Sequence, residues 1–240
     1  MRTPEQEIQY TLDALGGNEQ FKHTIGRGID VSLEDSWTIL GIKGSGKTTF
    51  TKRLFYELRK AYPGCRNYVL DSKQQGDFDN YAAHYITSQD APDMLQESGS
   101  IQIWQPPLDD IAQYDKWLER ILKARKPAIV FIDELSSICG NSSRVYPLAY
   151  AKMLKQGRGL DICVISLTQE AAYIPRQTMG QLTHFVRFHL VDKYDKRLAA
   201  NILQQTEPVE PSGMFGFFHK NVFKNGPTRE FTDLKAFFGS

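Results

Sequence analysis

Eight consecutive residues constrain the fold of this chain more than any others: Gly41-Ile42-Lys43-Gly44-Ser45-Gly46-Lys47-Thr48. An apolar run, Trp37-Thr38-Ile39-Leu40, leads straight into them. A stretch with apolar residues at helical spacing follows, at Phe50, Leu54, Phe55, Leu58 and Ala61, and Pro63-Gly64 ends it. Strand, glycine-rich turn and helix in that order form a cradle for phosphate. The glycines let backbone N–H groups curl around an anion, and the start of the helix turns its positive dipole end toward it. In the pattern G-x-x-x-x-G-K-[ST], Lys47 reaches the β- and γ-phosphates and the Thr48 hydroxyl ligates Mg²⁺. The spacing therefore predicts a nucleotide site at Gly41, Lys43, Gly44, Ser45, Gly46, Lys47, Thr48 and Thr49, with ATP and Mg²⁺ as ligands.

A second element completes the chemistry. Ala128-Ile129-Val130-Phe131-Ile132 is a continuous apolar run, as expected of a parallel strand covered on both faces, and it delivers Asp133 and Glu134 at its end. Ligands of open α/β sheets bind at such strand ends. Asp133 is the predicted second metal residue, beside Thr48, and Glu134 is placed to activate an attacking water. A third apolar strand, Ile162 to Leu167, leads to Thr168-Gln169, where the amide of Gln169 can contact a γ-phosphate or that water.

Apolar strands alternate with amphipathic helical stretches along the rest of the chain, the signature of an α/β fold. Helices are predicted near residues 5–15, 50–61, 111–122, 146–154 and 194–204. Strands are expected around Val31 and Leu33, then at 37–40, 68–70, 101–104, 128–132, 162–167 and 185–190. Asn225-Gly226 marks a hairpin turn in a tail rich in Gly and Phe. With no internal repeat or linker, the chain divides into an N-terminal helical extension (1–20), a core (21–205) and an aromatic, Gly-rich extension (206–240) of the same domain.

Composition removes other classes. The 240 residues carry 29 basic and 28 acidic side chains, a net charge of +1, which argues against a tail-driven nucleic-acid binder but leaves room for local basic loops. Three widely spaced cysteines, Cys65, Cys139 and Cys163, support neither a disulfide framework nor a zinc site. The N-terminus lacks the apolar segment of a signal peptide, and no run is long enough to span a bilayer, so no direct membrane insertion is expected. His184 and His189 stand five apart, on opposite faces of a strand, and are not a metal pair.

Further short segments give the chain a family likeness. Ile25-Gly26-Arg27 precedes the phosphate loop, Leu70-Asp71-Ser72-Lys73 follows the next strand, and Gly157-Arg158-Gly159-Leu160-Asp161-Ile162 leads to Thr168-Gln169, with Ile174-Pro175 behind. Over roughly residues 20 to 190 the chain resembles the FtsK–HerA superfamily of P-loop ATPases, mostly ring-forming motors that move double-stranded DNA. Two positions depart from its pattern: Lys43 stands where a small residue or Thr is common, and Ser72 where proline is common. The resemblance implies a single RecA-like P-loop domain of the ASCE type. Its mainly parallel sheet carries helices on both faces, with a short N-terminal helix and a β-rich C-terminal tail.

It further implies Glu134 as catalytic base, Gln169 as polar sensor and Arg158 as an arginine inserted into a neighbouring subunit's site. Arg144 and Arg176 are the other arginines for that task, and a solvated helix-end arginine is the plain alternative for Arg158. A core of this length resembles the genome-packaging ATPases of tailless icosahedral double-stranded DNA viruses, often with an internal membrane. The implied partners are double-stranded DNA, a homo-oligomeric ring (hexamer or pentamer) and a capsid vertex or membrane-protein partner. The implied location is the host cytoplasm or the packaging vertex of the virion.

Other readings stay open. A helicase loader or similar cellular AAA-type ATPase requires a helical lid after the sheet. A morphogenesis or secretion ATPase need not grip DNA. The basic cluster Lys123, Arg125, Lys126 either caps a helix or touches DNA, and the aromatic tail is either a core-packed hairpin or an interface.

Overall fold

The computed structural model describes residues 23–26, 28–74, 83–88, 101–107, 109–139 and 145–239. The helix expected at 5–15, the extension 1–20 that contains it, Arg27 and Arg144 lie outside these residues. A short hairpin, β1 (His23–Ile25) and β2 (Ile29–Val31), precedes the main sheet. Then follow β3 (Ser36–Leu40), α1 (Lys47–Ala61), β4 (Arg66–Leu70), β5 (Ala83–Ile86), β6 (Ile101–Trp104), α2 (Ile111–Ala124), β7 (Ala128–Ile132) and α3 (Leu135–Ile138). The rest is α4 (Leu148–Gln156), β8 (Ile162–Thr168), β9 (His184–Arg187), α5 (Lys193–Leu203), β10 (Phe217–Asn221), β11 (Arg229–Phe231) and α6 (Leu234–Phe238).

The main sheet has nine strands in the order β11-β10-β9-β3-β8-β7-β4-β6-β5. From β9 to β5 all pairings are parallel; β10 and β11 add an antiparallel edge. The parallel strands are apolar on both faces because both faces are covered. Their side chains divide with period two. Val130, Ile132 and Val164 point into one core with Tyr114, Trp117 and Leu118 of α2 and Tyr150 and Met153 of α4. Ile129, Phe131, Cys163 and Ile165 point into the other with Phe50, Leu54, Phe55 and Leu58 of α1 and Phe237 and Phe238 of α6. The sheet thus lies between two helical layers, as the alternation of strands and helices predicts.

Phe50 sits at the centre of the second core. Its ring stands 5.1 to 5.9 Å from those of Phe188, Phe217, Phe237 and Phe238. These distances suit edge-to-face and tilted aromatic packing. The aromatic tail is therefore in large part core: β10, β11 and α6 close the α1 side of the sheet. All three cysteines are buried free thiols. Among the described residues no helix is long and apolar enough to cross a membrane.

Two expectations are corrected in detail, and one strand was not expected. The last parallel strand ends at Arg187, not at residue 190, because Phe188 N–H bonds to Leu40 O and the chain then turns across the phosphate loop, where Ile42 N–H bonds to His189 O. Helix α1 begins at Lys47, inside the loop motif, rather than at residue 50. β5, with the sequence Ala-His-Tyr-Ile, has no apolar run to betray it; it pairs in parallel with β6 and buries Ile86 in the core.

Candidate active site

The phosphate loop leaves the end of β3, and α1 starts within it. Gly44 and Gly46 take φ of +80° and +99°, a left-handed conformation open to glycine at little cost. A Cβ on Gly41 would lie 2.6 Å from Cβ of Phe188, so that position accepts only glycine without a shift. Ser45 Oγ donates to Ile42 O at 2.8 Å and closes the turn. Gly46, the residue before α1, brings no side-chain cap, so the first N–H groups of the helix face the loop. Lys47 Nζ donates to Ile42 O at 2.8 Å. Burial lowers the Lys47 pKa to about 8; Glu134 opposes that shift, Lys73 reinforces it and Asp133 opposes it.

Asp133 and Glu134 follow β7 and are buried, 1% and 4% exposed. Asp133 N–H bonds to Leu70 O, which ties this strand end to β4. β8 runs between β3 and β7, so the phosphate loop and the acidic pair end on strands one apart, with Gln169 between them. Gln169 Nε2 donates to Glu134 Oε2 at 3.1 Å. Glu134 Oε1 is buried and accepts no hydrogen bond among the described residues.

Lys73 completes the cluster. Its Nζ lies 3.1 Å from Glu134 Oε2 and 3.7 Å from Asp133 Oδ2. Burial disfavours its charge, but Asp133 and Glu134 outweigh burial and the net pKa is raised. Buried Asp71, just beyond β4, builds the turn that places it: its carboxylate accepts from Gln74 N at 3.0 Å and from Gln105 Nε2 at 2.8 Å. Ser72 thus stands in a turn fixed by Asp71 without a proline. Sequence reasoning used Lys73 only as a family mark. What brings it to Glu134 is the parallel pairing of β4 with β7.

A pocket of about 320 Å³ joins these parts, lined by Lys43, Gly44, Gly46, Lys47, Thr48, Thr49, Lys73, Leu167, Gln169 and Phe215. Lys43, Lys47 and Lys73 make its wall basic. Thr48 faces it and Asp133 stands behind it, an oxygen donor set that suits a hard cation such as Mg²⁺.

The arginines stand elsewhere. Arg158 lies in a 3₁₀ turn (Gly157–Leu160) before β8, at the opposite end of the sheet from the phosphate loop, about 20 Å along the strand. It donates to Thr183 Oγ1 at 3.3 Å, and its guanidinium lies 3.4 Å from the ring centre of Phe223. It does not enter this chain's own pocket. Arg176 is exposed and donates to Tyr194 OH at 3.3 Å. The two histidines do not share a strand, because β9 ends at Arg187: His184 Nδ1 meets His219 Nε2 at 3.0 Å, and His189, beyond the strand, lies 3.2 Å from Glu210.

The fold is that of the RecA-like P-loop ATPases. The DNA-packaging ATPase from Sulfolobus turreted icosahedral virus superposes with a TM-score of 0.64 at 16% identity, over 83% of this chain and 98% of that one. The genome packaging NTPase of Sulfolobus turreted icosahedral virus 2, in complex with ATP-gammaS, gives 0.65 at 15%, over 85% and 99%. The conjugation coupling protein TcpA of pCW3 gives 0.59 at 14%, over 95% of this chain and 69% of that one. EssC from Geobacillus thermodenitrificans gives 0.61 at 14%, over 88% and 44%. No protein-family model matches this chain, and no curated protein matches it in sequence. The likeness to these structures is one of fold, over 83–95% of this chain.

Proposed function

We propose that this chain is a Mg²⁺-dependent ATPase that drives movement of double-stranded DNA, in the packaging of a viral genome into a preformed capsid. The observation that carries the hydrolytic part is that Lys47, Lys73 and Gln169 line one basic pocket while Lys73 and Gln169 both hold the buried Glu134 carboxylate. In this reading the N–H groups of Gly44 to Thr48 and the start of α1 bind the phosphates, with Lys43 and Lys47 adding charge. Thr48 and Asp133 would hold Mg²⁺, which would supply positive charge to offset that of the phosphates. Lys73 and Gln169 hold Oε2 of Glu134, leaving Oε1 to accept the proton of the attacking water. A base so placed contributes about 10² to 10⁴ in rate. Glu134→Gln should keep ATP binding and abolish turnover; retained hydrolysis would remove Glu134 as the base.

The DNA part rests on the likeness to the packaging NTPases, which runs through 98% or more of those two chains. The near-neutral charge suits a ring that grips and releases DNA repeatedly through a few basic residues. In this reading the chain acts as a homo-oligomeric ring, hexamer or pentamer, as the family resemblance of its motifs implies, with a capsid vertex or membrane protein as docking partner and the host cytoplasm or packaging vertex as location. The position of Arg158, outside its own pocket, suits an arginine offered to a neighbour. A mixture of Arg158→Ala and Glu134→Gln subunits should regain activity through mixed sites; no recovery at any ratio counts against Arg158. A secretion reading is kept because EssC and the type VII secretion ATPase EccC share the fold. DNA-stimulated hydrolysis separates the two.

A further inference from the structure

Phe215 has a place in the pocket but no task in phosphate chemistry. The neighbouring tail phenylalanines Phe217, Phe218 and Phe237 are buried in the core, whereas Phe215 is 49% exposed and lines the phosphate pocket. Its ring borders the loop itself: a Cβ on Gly46 would lie 3.5 Å from Phe215 Cδ1. A half-exposed aromatic ring at a pocket mouth offers a face on which a flat group can stack.

The chain around Phe215 is anchored on both sides. Buried Arg187, at the end of β9, donates to Val209 O and to Glu210 Oε1, the latter at 2.6 Å. Lys196 and His189 reach the same Glu210 carboxylate at 3.1 and 3.2 Å, and Leu190 N–H donates to it at 3.3 Å. His189 Nε2 donates to Gly213 O at 2.7 Å, and Ser212 N–H to Glu230 Oε1 at 2.6 Å. Gly213, at φ +74°, and Gly216 close the tight turn that presents the ring; a Cβ on Gly216 would lie 2.0 Å from Ser212 O. So many polar contacts, Arg187 buried among them, fix one exposed ring in one place.

The pocket has a direction. Lys73, Gln169 and the nearby Glu134 mark the end for a terminal phosphate, and the backbone from Gly44 to Thr48 cradles the inner ones. Phe215 precedes β10, on the other side of β3 from β8 and β7, so a nucleotide with its terminal phosphate at Gln169 and Glu134 would carry its base on the side of Phe215. We propose that Phe215 is the stacking platform for the nucleobase, presented by the Arg187–Glu210 latch. This inference rests on the nucleotide-binding reading above and adds a base subsite to it. A ring offers its face and no hydrogen-bonding edge, so it recognises an aromatic base as such.

Calorimetry with Mg²⁺-ATP and with Mg²⁺-tripolyphosphate tests it, because the second probe has the phosphates without the base. Phe215→Ala should weaken ATP roughly tenfold or more, the scale of one base–aromatic stack, and leave tripolyphosphate unchanged. Phe215→Trp should restore ATP affinity and show, over the wild-type background, emission quenched by ATP but not by tripolyphosphate. Unchanged ATP affinity in Phe215→Ala, or equal loss of both probes, overturns the platform. If the wild-type protein binds neither probe, the nucleotide reading fails first and the platform with it.

Discussion

Lys73 Nζ stands 3.1 Å from Glu134 Oε2, the same oxygen that accepts from Gln169. Two donors on one carboxylate oxygen restrain the carboxylate, while Oε1 accepts no hydrogen bond among the described residues. If Lys73 acts by positioning Glu134, Lys73→Met should lower kcat by about 10- to 100-fold while nucleotide affinity changes only a few-fold. Lys73→Arg should recover part of the loss. Steady-state kinetics beside equilibrium nucleotide binding read the split; a raised KM with unchanged kcat contradicts it.

Lys47 gives a pH signature. Its pKa in the folded protein is lowered to about 8 from 10.5, so it loses its proton in the native state while still charged in the unfolded one. Between these values the unfolded chain binds more protons, and stability gains from this group as pH rises; below pH 8 its burial as a cation costs stability. Phosphate binding favours the charged form and has the opposite sign. Affinity for Mg²⁺-ATP, followed by calorimetry, should be level below about pH 7 and fall as pH rises through 8. An affinity level to pH 9.5 counts against Lys47 as a phosphate ligand.

The Glu210 latch should fail in acid. Burial raises its pKa, but Arg187, Lys196 and the Leu190 N–H outweigh that, and the net pKa lies below the usual 4.5. A depressed carboxylate contributes stability that is fully present above 4.5 and is lost as pH falls through the folded value. The Tm difference between wild type and Glu210→Gln should therefore be constant above about pH 5.5 and shrink below 4.5. A difference that does not shrink in acid would mean the latch is not ionic.

Phe50 tests how far the tail belongs to the core. Its ring is fully buried against Phe188, Phe217, Phe237 and Phe238. Phe50→Ala should cost about 3–5 kcal/mol, seen in urea as a lower midpoint with an unchanged slope. A cost below about 1 kcal/mol would mean that the tail and α1 do not share a core.

The parts legible in sequence were those whose chemistry is local. The loop from Gly41 to Thr48 needs neighbours in sequence, and so does a strand that ends in Asp133-Glu134. Helix and strand positions followed from periodicity where one or both faces are buried, as in α2 and β8. Lys73 and Phe215 were not legible as site residues. The first reaches Glu134 only because β4 pairs with β7, and the second reaches Gly46 only because the chain returns after α5 across the loop. β5 was hidden because it is four residues long and His84 and Tyr85 are exposed, so no apolar run marks it.

Phosphate release with and without linear double-stranded DNA, measured side by side for wild type and Glu134→Gln, tests the proposed motor most directly. Wild type should hydrolyse ATP, faster when DNA is present, and Glu134→Gln should bind ATP without turnover in either condition. Wild-type hydrolysis that is indifferent to DNA, or no hydrolysis at all, would contradict a DNA-moving ATPase.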